Sequence, residues 1–164
     1  MLGRLIGSVR RNHALEHATI SVLAGKLGRD VRLVGRATRS GFYLYGDLTP
    51  DSVRESTAEA LVRLRRGESH LAVSPMCGTN LAVAGLLAGA SSLLAIGNRG
   101  RLERMPNVLL ASMLAVLVAQ PLGRLAQQYL TTNADLSDTR LVGLRQGGRG
   151  PGRFYRVETA RATD

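Results

Sequence analysis

Two histidines and a glutamate fall within five residues near the start of the chain, in the segment His-Ala-Leu-Glu-His that contains His13, Glu16 and His17. Residues four apart in an α-helix lie one above the other on the same face, so the two imidazoles would be neighbours. Two such imidazoles can bind one zinc ion, and an adjacent carboxylate can act as a general base on a water molecule at the metal. The spacing therefore predicts a zinc site with Glu16 as its catalytic residue.

A third ligand has to come from elsewhere in the chain, because a catalytic zinc site uses three protein ligands and keeps a fourth position open. The candidates are Cys77, His70 and a glutamate of the second predicted helix. Cys77 is the one cysteine of the chain, so it forms no intrachain disulfide. The alternative leaves the site without metal: the motif histidines bond to nearby carbonyls or lipid head groups, Cys77 is a small buried residue and His70 is an ordinary interfacial histidine.

The motif lies in a predicted helix that runs from about Asn12, or an earlier residue, to Leu27 and is ended by Gly28. Apolar residues at helical spacing share the motif's face of this helix, so the motif should point into the protein. A buried pair of histidines beside a carboxylate needs polar partners, which a metal would supply.

The elements that follow predict a small sheet covered by helices. Strands are expected over Val31–Gly35 and Gly41–Gly46, with Phe42 and Leu44 on one face and the tyrosines on the other. A second helix should begin at Thr49-Pro50 and end at Gly67, and Leu71–Val73 reads as a short strand. Two further strands, over 140–145 and 153–158, flank a glycine-rich loop and should join the same sheet.

Two long stretches without charge predict a pair of apolar helices, Leu81–Gly97 and Met105–Gly123. A helix needs about 20 residues to cross a bilayer, which both stretches approach if Thr79 or Asn80 caps the first. Pro121 and Gly123 should end the second helix. The short link from Asn98 to Arg104 makes the two helices antiparallel neighbours, and the alternative is a buried helical hairpin in a soluble protein.

Small residues predict how these two helices would pack, and arginines predict their orientation. Gly85 and Gly89 form a small-x-x-x-small pair, which we expect to face the second helix near Ala111, Ser112 and Ala115. The segment before the hairpin has 12 basic and 7 acidic residues, and the segment after it has 7 and 4. Both flanks therefore read as cytoplasmic.

The charge balance excludes few partners but favours one. The net charge is +10, and Lys26 is the one lysine among 22 basic residues. Neither a helix-turn-helix pattern, a zinc-finger spacing nor an aromatic-studded basic strand is present, so we expect no nucleic-acid partner. A basic membrane protein facing anionic lipid is the simpler interpretation. The N-terminus has neither the long apolar core nor the cleavage site of a secretory signal.

The motifs taken together resemble an uncharacterised bacterial membrane-protein family. They are Arg-Asn-His-Ala-Leu-Glu-His-Ala-Thr-Ile, Gly-Phe-Tyr-Leu-Tyr-Gly and Ser-Pro-Met-Cys-Gly-Thr-Asn ahead of an apolar hairpin, and they extend to Gln120-Pro121-Leu122-Gly123 and Thr131-Thr132. The resemblance implies a multi-pass protein of the bacterial inner membrane with no established activity. Residues 13–17 are also similar to the inverted zincin peptidase signature. Those peptidases are much larger and use a later glutamate as third ligand, which this chain does not clearly offer.

The sequence thus predicts an α+β fold made of residues 1–78, a transmembrane hairpin over 79–123 and completing strands over 124–164. Three functions fit: a membrane-anchored zinc-dependent hydrolase, a non-catalytic membrane adaptor or subunit of a larger assembly, and a metal sensor or carrier. The partners expected are the lipid bilayer and other membrane proteins or further copies of the chain.

Overall fold

The computed structural model describes residues 2–28, 32–96 and 104–162. The chain divides into two compact units, Met1–Ser74 with Gln128–Asp164, and Pro75–Gln127. The first unit contains two helices and a four-stranded antiparallel sheet, and the second contains two apolar helices. The predicted α+β fold class is confirmed.

Helices α1 (Leu2–Leu27) and α2 (Pro50–Arg65) pack against each other in the first unit. Helix α1 starts well before Asn12 and ends at the predicted Gly28, whose φ of 92° is a conformation that favours glycine. Thr49 caps α2, because its side chain accepts a hydrogen bond from the backbone N–H of Ser52. The Ser52 hydroxyl in turn accepts a hydrogen bond from the backbone N–H of Thr49. The predicted start of α2 is therefore confirmed.

The sheet contains β1 (Val34–Thr38), β2 (Gly41–Tyr45), β3 (Thr139–Gly147) and β4 (Phe154–Arg161) in the order β1-β2-β4-β3. Pairing of β2 with β4 joins a hairpin from the start of the chain to one from its end. Phe42 and Leu44 are fully buried, whereas the side chains of Tyr43 and Tyr45 are half-buried and exposed, which confirms the predicted alternation. Strand β1 starts at Val34 and runs beyond Gly35; the predicted starting residue, Val31, lies outside the described residues.

The predicted strand at Leu71–Val73 is wrong, because Ser69–Ala72 forms a 3₁₀ turn. The backbone N–H of Leu71 bonds the carbonyl of Glu68, and that of Val73 bonds the carbonyl of His70. These donors are satisfied within the turn, so they need no neighbouring strand. Leu71 and Ala72 are still buried in the core, which explains the apolar run in the sequence.

The second unit consists of α3 (Gly78–Ile96) and α4 (Met105–Ala126), and α4 is followed by a π-helical turn over Gln127–Thr131. The predicted cap at Thr79 or Asn80 is wrong, since α3 begins at Gly78 and Asn80 lies in its first turn, where it bonds Pro75 and Gln127. The predicted end at Pro121 or Gly123 is also wrong. A Cβ on Gly123 would stand 2.3 Å from the Oδ1 atom of Asn80, so this glycine permits close packing of α3 and α4.

The glycine pair of α3 does not face α4, contrary to the sequence prediction. A Cβ added at Gly85 or Gly89 would meet nothing within 4 Å. The contact uses the next face of α3, where the hydroxyl oxygens of Ser92 and Ser112 lie 2.9 Å apart. Of the residues predicted to form the contact, Ser112 of α4 therefore lies in the interface, whereas Gly85 and Gly89 of α3 do not.

Both helices of the second unit are long and apolar enough to cross a membrane. The stretches Gly78–Ile96 and Met105–Thr131 have 19 and 27 residues and mean hydropathies of 1.7 and 1.8. Only 6% and 11% of their apolar windows are buried, whereas a core helix of a soluble protein is mostly buried. Of the predicted link between them, residues 98–103 lie outside the described part of the chain.

Candidate metal centre

The histidine–glutamate motif lies in the part of α1 that is covered on most sides. Glu16 is 5% exposed and His17 is 3% exposed, while His13 is half-buried. Asn12, one residue before the motif, fixes the rotation of the helix. Its side-chain amide donates to the carbonyls of Thr38 and Arg39 and accepts a hydrogen bond from the Thr159 hydroxyl at 2.7 Å. These three bonds tie α1 to the β1–β2 turn and to β4.

Each imidazole is oriented by a backbone carbonyl at its Nδ1 atom. The Nδ1 of His13 lies 3.0 Å from the carbonyl oxygen of Thr131, and the Nδ1 of His17 lies 2.8 Å from that of Ala72. A carbonyl oxygen can only accept, so Nδ1 carries the hydrogen in both rings and the Nε2 atom of a neutral ring carries the lone pair. Orientation of a histidine through its second ring nitrogen is the usual arrangement at metal sites.

Two segments far apart in sequence deliver these carbonyl groups. Ala72 is the last residue of the 3₁₀ turn after α2. The segment around Thr131 is held by Arg10, whose guanidinium donates to the carbonyls of Thr132 and Tyr129, and the backbone N–H of Asn133 bonds the Arg10 carbonyl in return. Arg10 lies one helical turn before the motif, so α1 itself anchors one of the two acceptors.

Cys77 lies close to both histidines. One ligand atom each from His13, His17 and Cys77 fall within 4.8 Å of one another. Cys77 is 6% exposed, and its Sγ atom accepts a hydrogen bond from the backbone N–H of Thr79 at 3.4 Å. Cysteine binds metal ions as the thiolate. Three of the candidate ligands from the sequence, His13, His17 and Cys77, thus lie close enough together to hold a metal ion.

The other candidates lie elsewhere. His70 is exposed on the 3₁₀ turn and is not one of the three clustered ligands. On α2, the carboxylate of Glu59 pairs with Lys26 at 2.8 Å and Arg63 at 3.8 Å, and Glu55 is exposed. Neither glutamate contributes to the cluster, because their carboxylates are solvated or paired with cations.

The carboxylate of Glu16 packs onto β1 and is not among the clustered ligands. A Cβ on Gly35 would stand 2.0 Å from its Oε1 atom and 2.7 Å from its Cγ atom, so the side chain occupies the space that a larger residue at 35 would fill. Sequence reasoning missed Gly35, although a glycine inside a predicted strand signals a close approach. It also missed the carbonyls of Ala72 and Thr131, for which the side-chain pattern gives no signal.

The chain belongs to a family described as a domain of unknown function (DUF6391), whose model matches residues 8–144. It is 36% identical over 142 residues to an uncharacterized protein of Picosynechococcus sp. (strain ATCC 27264 / PCC 7002 / PR-6), and the match covers 79% of this chain and 68% of that protein. No solved structure matches the chain. Membership of a family of unknown function agrees with the sequence resemblance, and neither match assigns an activity.

Proposed function

We propose that this protein is a small membrane protein that binds one zinc ion through His13, His17 and Cys77. The observation that carries the proposal is the convergence of two imidazoles and a thiol within 4.8 Å, with both Nδ1 atoms committed to carbonyl oxygens. Zinc suits a mixed set of imidazole and thiolate ligands, whereas calcium and magnesium prefer oxygen ligands.

The spacing of the donor atoms fits a tetrahedral ion. Zinc–nitrogen and zinc–sulfur bonds of about 2.0–2.3 Å at tetrahedral angles put ligand atoms about 3.3–3.8 Å apart. The three ligand atoms lie within 4.8 Å of one another, so inward movements of about 1 Å or less would complete the site. The imidazole rings are already 4.3 Å apart between centroids and are inclined by 60°, which permits both to face one ion.

We further propose that α3 and α4 form a transmembrane hairpin in the bacterial inner membrane, with both chain termini in the cytoplasm. Length, hydropathy and low burial support the hairpin. Leucines that project from α3 with three-quarters or more of their surface exposed, such as Leu81, Leu93 and Leu94, would otherwise be in water. The orientation rests on the excess of arginine in both flanking segments.

Hydrolysis, as in a peptidase, is a second candidate function because the cluster has three protein ligands. A zinc site with three protein ligands has a fourth position for water or substrate, which a purely structural site lacks. Glu16, buried on the same helix, would be the general base. Its carboxylate packs on Gly35 and is not among the clustered ligand atoms. Metal binding is therefore the better supported of the two functions, and hydrolysis is the second candidate.

Elemental analysis of the detergent-purified protein, reconstituted with zinc and then desalted, tests the metal site. We expect about one zinc per chain in the parent and a large loss in His17→Ala and Cys77→Ala. His70→Ala is the matched control and should retain zinc, since His70 is exposed and outside the cluster. Cobalt substitution adds a direct readout of the thiolate, because its charge-transfer band should disappear in Cys77→Ala.

A parent protein that retains no zinc after reconstitution would contradict the proposal and favour a non-catalytic membrane adaptor. Equal zinc loss in His70→Ala and His17→Ala would also contradict it.

Glu16→Gln separates hydrolysis from binding. We expect this variant to retain zinc, and if the protein is a hydrolase the variant should lose turnover of a fluorescent casein substrate by about 10²-fold or more. Equal turnover in parent and variant would remove the catalytic assignment while the metal site stands.

A further inference from the structure

A second site lies in the first unit and shares no residue with the metal centre. A cleft of about 530 Å³ is formed by the first turns of α1, the β1–β2 turn and the ends of β3 and β4. Four arginines line it: Arg4, Arg11, Arg39 and Arg161. They come from three separate parts of the chain, so the sequence gives no sign that they meet.

The cleft is strongly cationic. None of the described residues that line it is acidic. Among the described residues, Arg161 is the one arginine of the four with an ion pair, to Asp138 at 3.3 Å, and the charges of Asp138 and Asp135 also act on Arg11. Four guanidinium groups around one opening repel one another unless an anion lies among them.

Two polar side-chain atoms in the wall of the cleft have no hydrogen-bond partner. The Nε atom of Arg161 and the Oγ1 atom of Thr139 are buried without a hydrogen-bond partner, and Ser56 Oγ is the one other such side-chain atom in the described chain. Buried polar groups normally have partners, so the Nε–H of Arg161 and the hydroxyl of Thr139 leave two donors at one cleft that an acceptor could use.

We propose that this cleft binds the phosphate group of an anionic ligand. A phosphate offers several acceptor oxygens and up to two negative charges, and the planar guanidinium fork matches two of its oxygens at once. A carboxylate has two oxygens in one plane and could engage fewer of four arginines that surround it. The Ser40 hydroxyl, which accepts a hydrogen bond from Arg156, can add a donor of the kind found in phosphate sites.

The phosphate could come from a soluble ester or from a phospholipid head group. Apolar side chains flank the arginines on α1, where Leu5, Ile6 and Val9 are 39%, 51% and 38% exposed. Such a neighbourhood would suit the acyl chains of a lipid. The chemistry of recognition is the same for both sources, and the experiment has an arm for each.

The test variant is Arg4→Gln with Arg39→Gln, because both side chains are exposed and neither forms an ion pair with a described residue. The control is Arg36→Gln with Arg149→Gln, which removes the same charge from exposed positions outside the cleft. Far-ultraviolet circular dichroism establishes that both variants are folded.

In one arm, the melting temperature of the detergent-purified protein is followed against inorganic phosphate at constant ionic strength. In the other, native mass spectrometry counts retained phosphatidylglycerol against phosphatidylcholine. We expect binding in at least one arm, weakened about tenfold or more in the cleft variant and unchanged in the control. Phosphate binding assigns a soluble ester, and selective retention of phosphatidylglycerol without phosphate binding assigns a lipid. A parent that binds neither probe, or a control that loses as much as the cleft variant, overturns the proposal.

Discussion

The contact between Glu16 and Gly35 allows a quantitative test of how the motif is held. A Cβ at position 35 would lie 2.0, 2.4 and 2.7 Å from the Oε1, Cδ and Cγ atoms of Glu16. Because Cγ is involved as well as the tip, Gly35→Ala must displace the whole buried carboxyl arm, by about 1 Å at its end. Overpacking of this kind costs about 1–3 kcal/mol, and each kcal/mol lowers the Tm by about 2–4 °C in a chain of this size.

A double-mutant cycle isolates that contact. Glu16→Ala removes the three atoms nearest to the new Cβ, so Gly35→Ala should cost close to nothing in that background. The coupling free energy between the two positions is then about 1–3 kcal/mol. Gly25→Ala in α1 is the matched control, since nothing lies within 4 Å of its Cβ; it should leave stability unchanged or raise it by up to about 1 kcal/mol.

Thermal and urea unfolding followed by far-ultraviolet circular dichroism supplies the free energies, because the chain has no tryptophan to report by fluorescence. Equal destabilisation by Gly35→Ala in the parent chain and in the Glu16→Ala variant would show that another group meets the new Cβ. The packing of the Glu16 carboxylate on β1 would then be refuted.

Three further substitutions test other parts of the fold. Thr49→Ala should cost about 1 kcal/mol in urea unfolding, because α2 loses its N-cap; an unchanged midpoint would contradict the capping role. The pKa of Glu68 is lowered, mainly by a hydrogen bond from Arg63. The pair therefore stabilises the fold at pH values above the ordinary carboxyl pKa, and this contribution is lost as the pH falls through the lowered pKa of Glu68. Glu68→Gln should therefore be less stable than the parent at neutral pH and equal to it in acid, and a deficit that persists in acid would refute the assignment. Ser112→Ala should weaken the contact with Ser92 by about 0.6 kcal/mol in detergent unfolding. A loss of that size in Ser91→Ala, with none in Ser112→Ala, would place the stabilising contact at the Ser91–Ala111 hydrogen bond instead.

Local rules predicted the elements well where the chain itself carries the signal. The Thr49-Pro50 pair set the start of α2 because a cap and a first-turn proline act within one turn. Alternation set the faces of β2, since Phe42 and Leu44 are buried and Tyr45 is exposed. The spacing of His13 and His17 predicted two imidazoles on one face of α1, because residues four apart in a helix lie on the same face.

Tertiary contacts account for what local rules missed. Local rules predict a helix stop at Gly123, yet in the structure this glycine lets Asn80 approach α4. Gly85 and Gly89 fit a packing motif, but a repeat of small residues does not determine which face meets the neighbour. The carbonyls that orient the histidines were not predictable at all, because every residue carries the same backbone acceptor and only the fold selects Ala72 and Thr131.

The two carbonyls that orient the histidines flank the Pro75–Gln127 unit in the sequence. The carbonyl that orients His17 comes from Ala72, shortly before the Pro75–Gln127 unit, and the carbonyl that orients His13 comes from Thr131, shortly after it. Loss of an orienting partner at a metal site typically lowers metal affinity about 10–100-fold. If the proposed zinc site is correct, substitutions that shift the carbonyl of Ala72 or Thr131 should lower zinc affinity, although neither residue is a ligand.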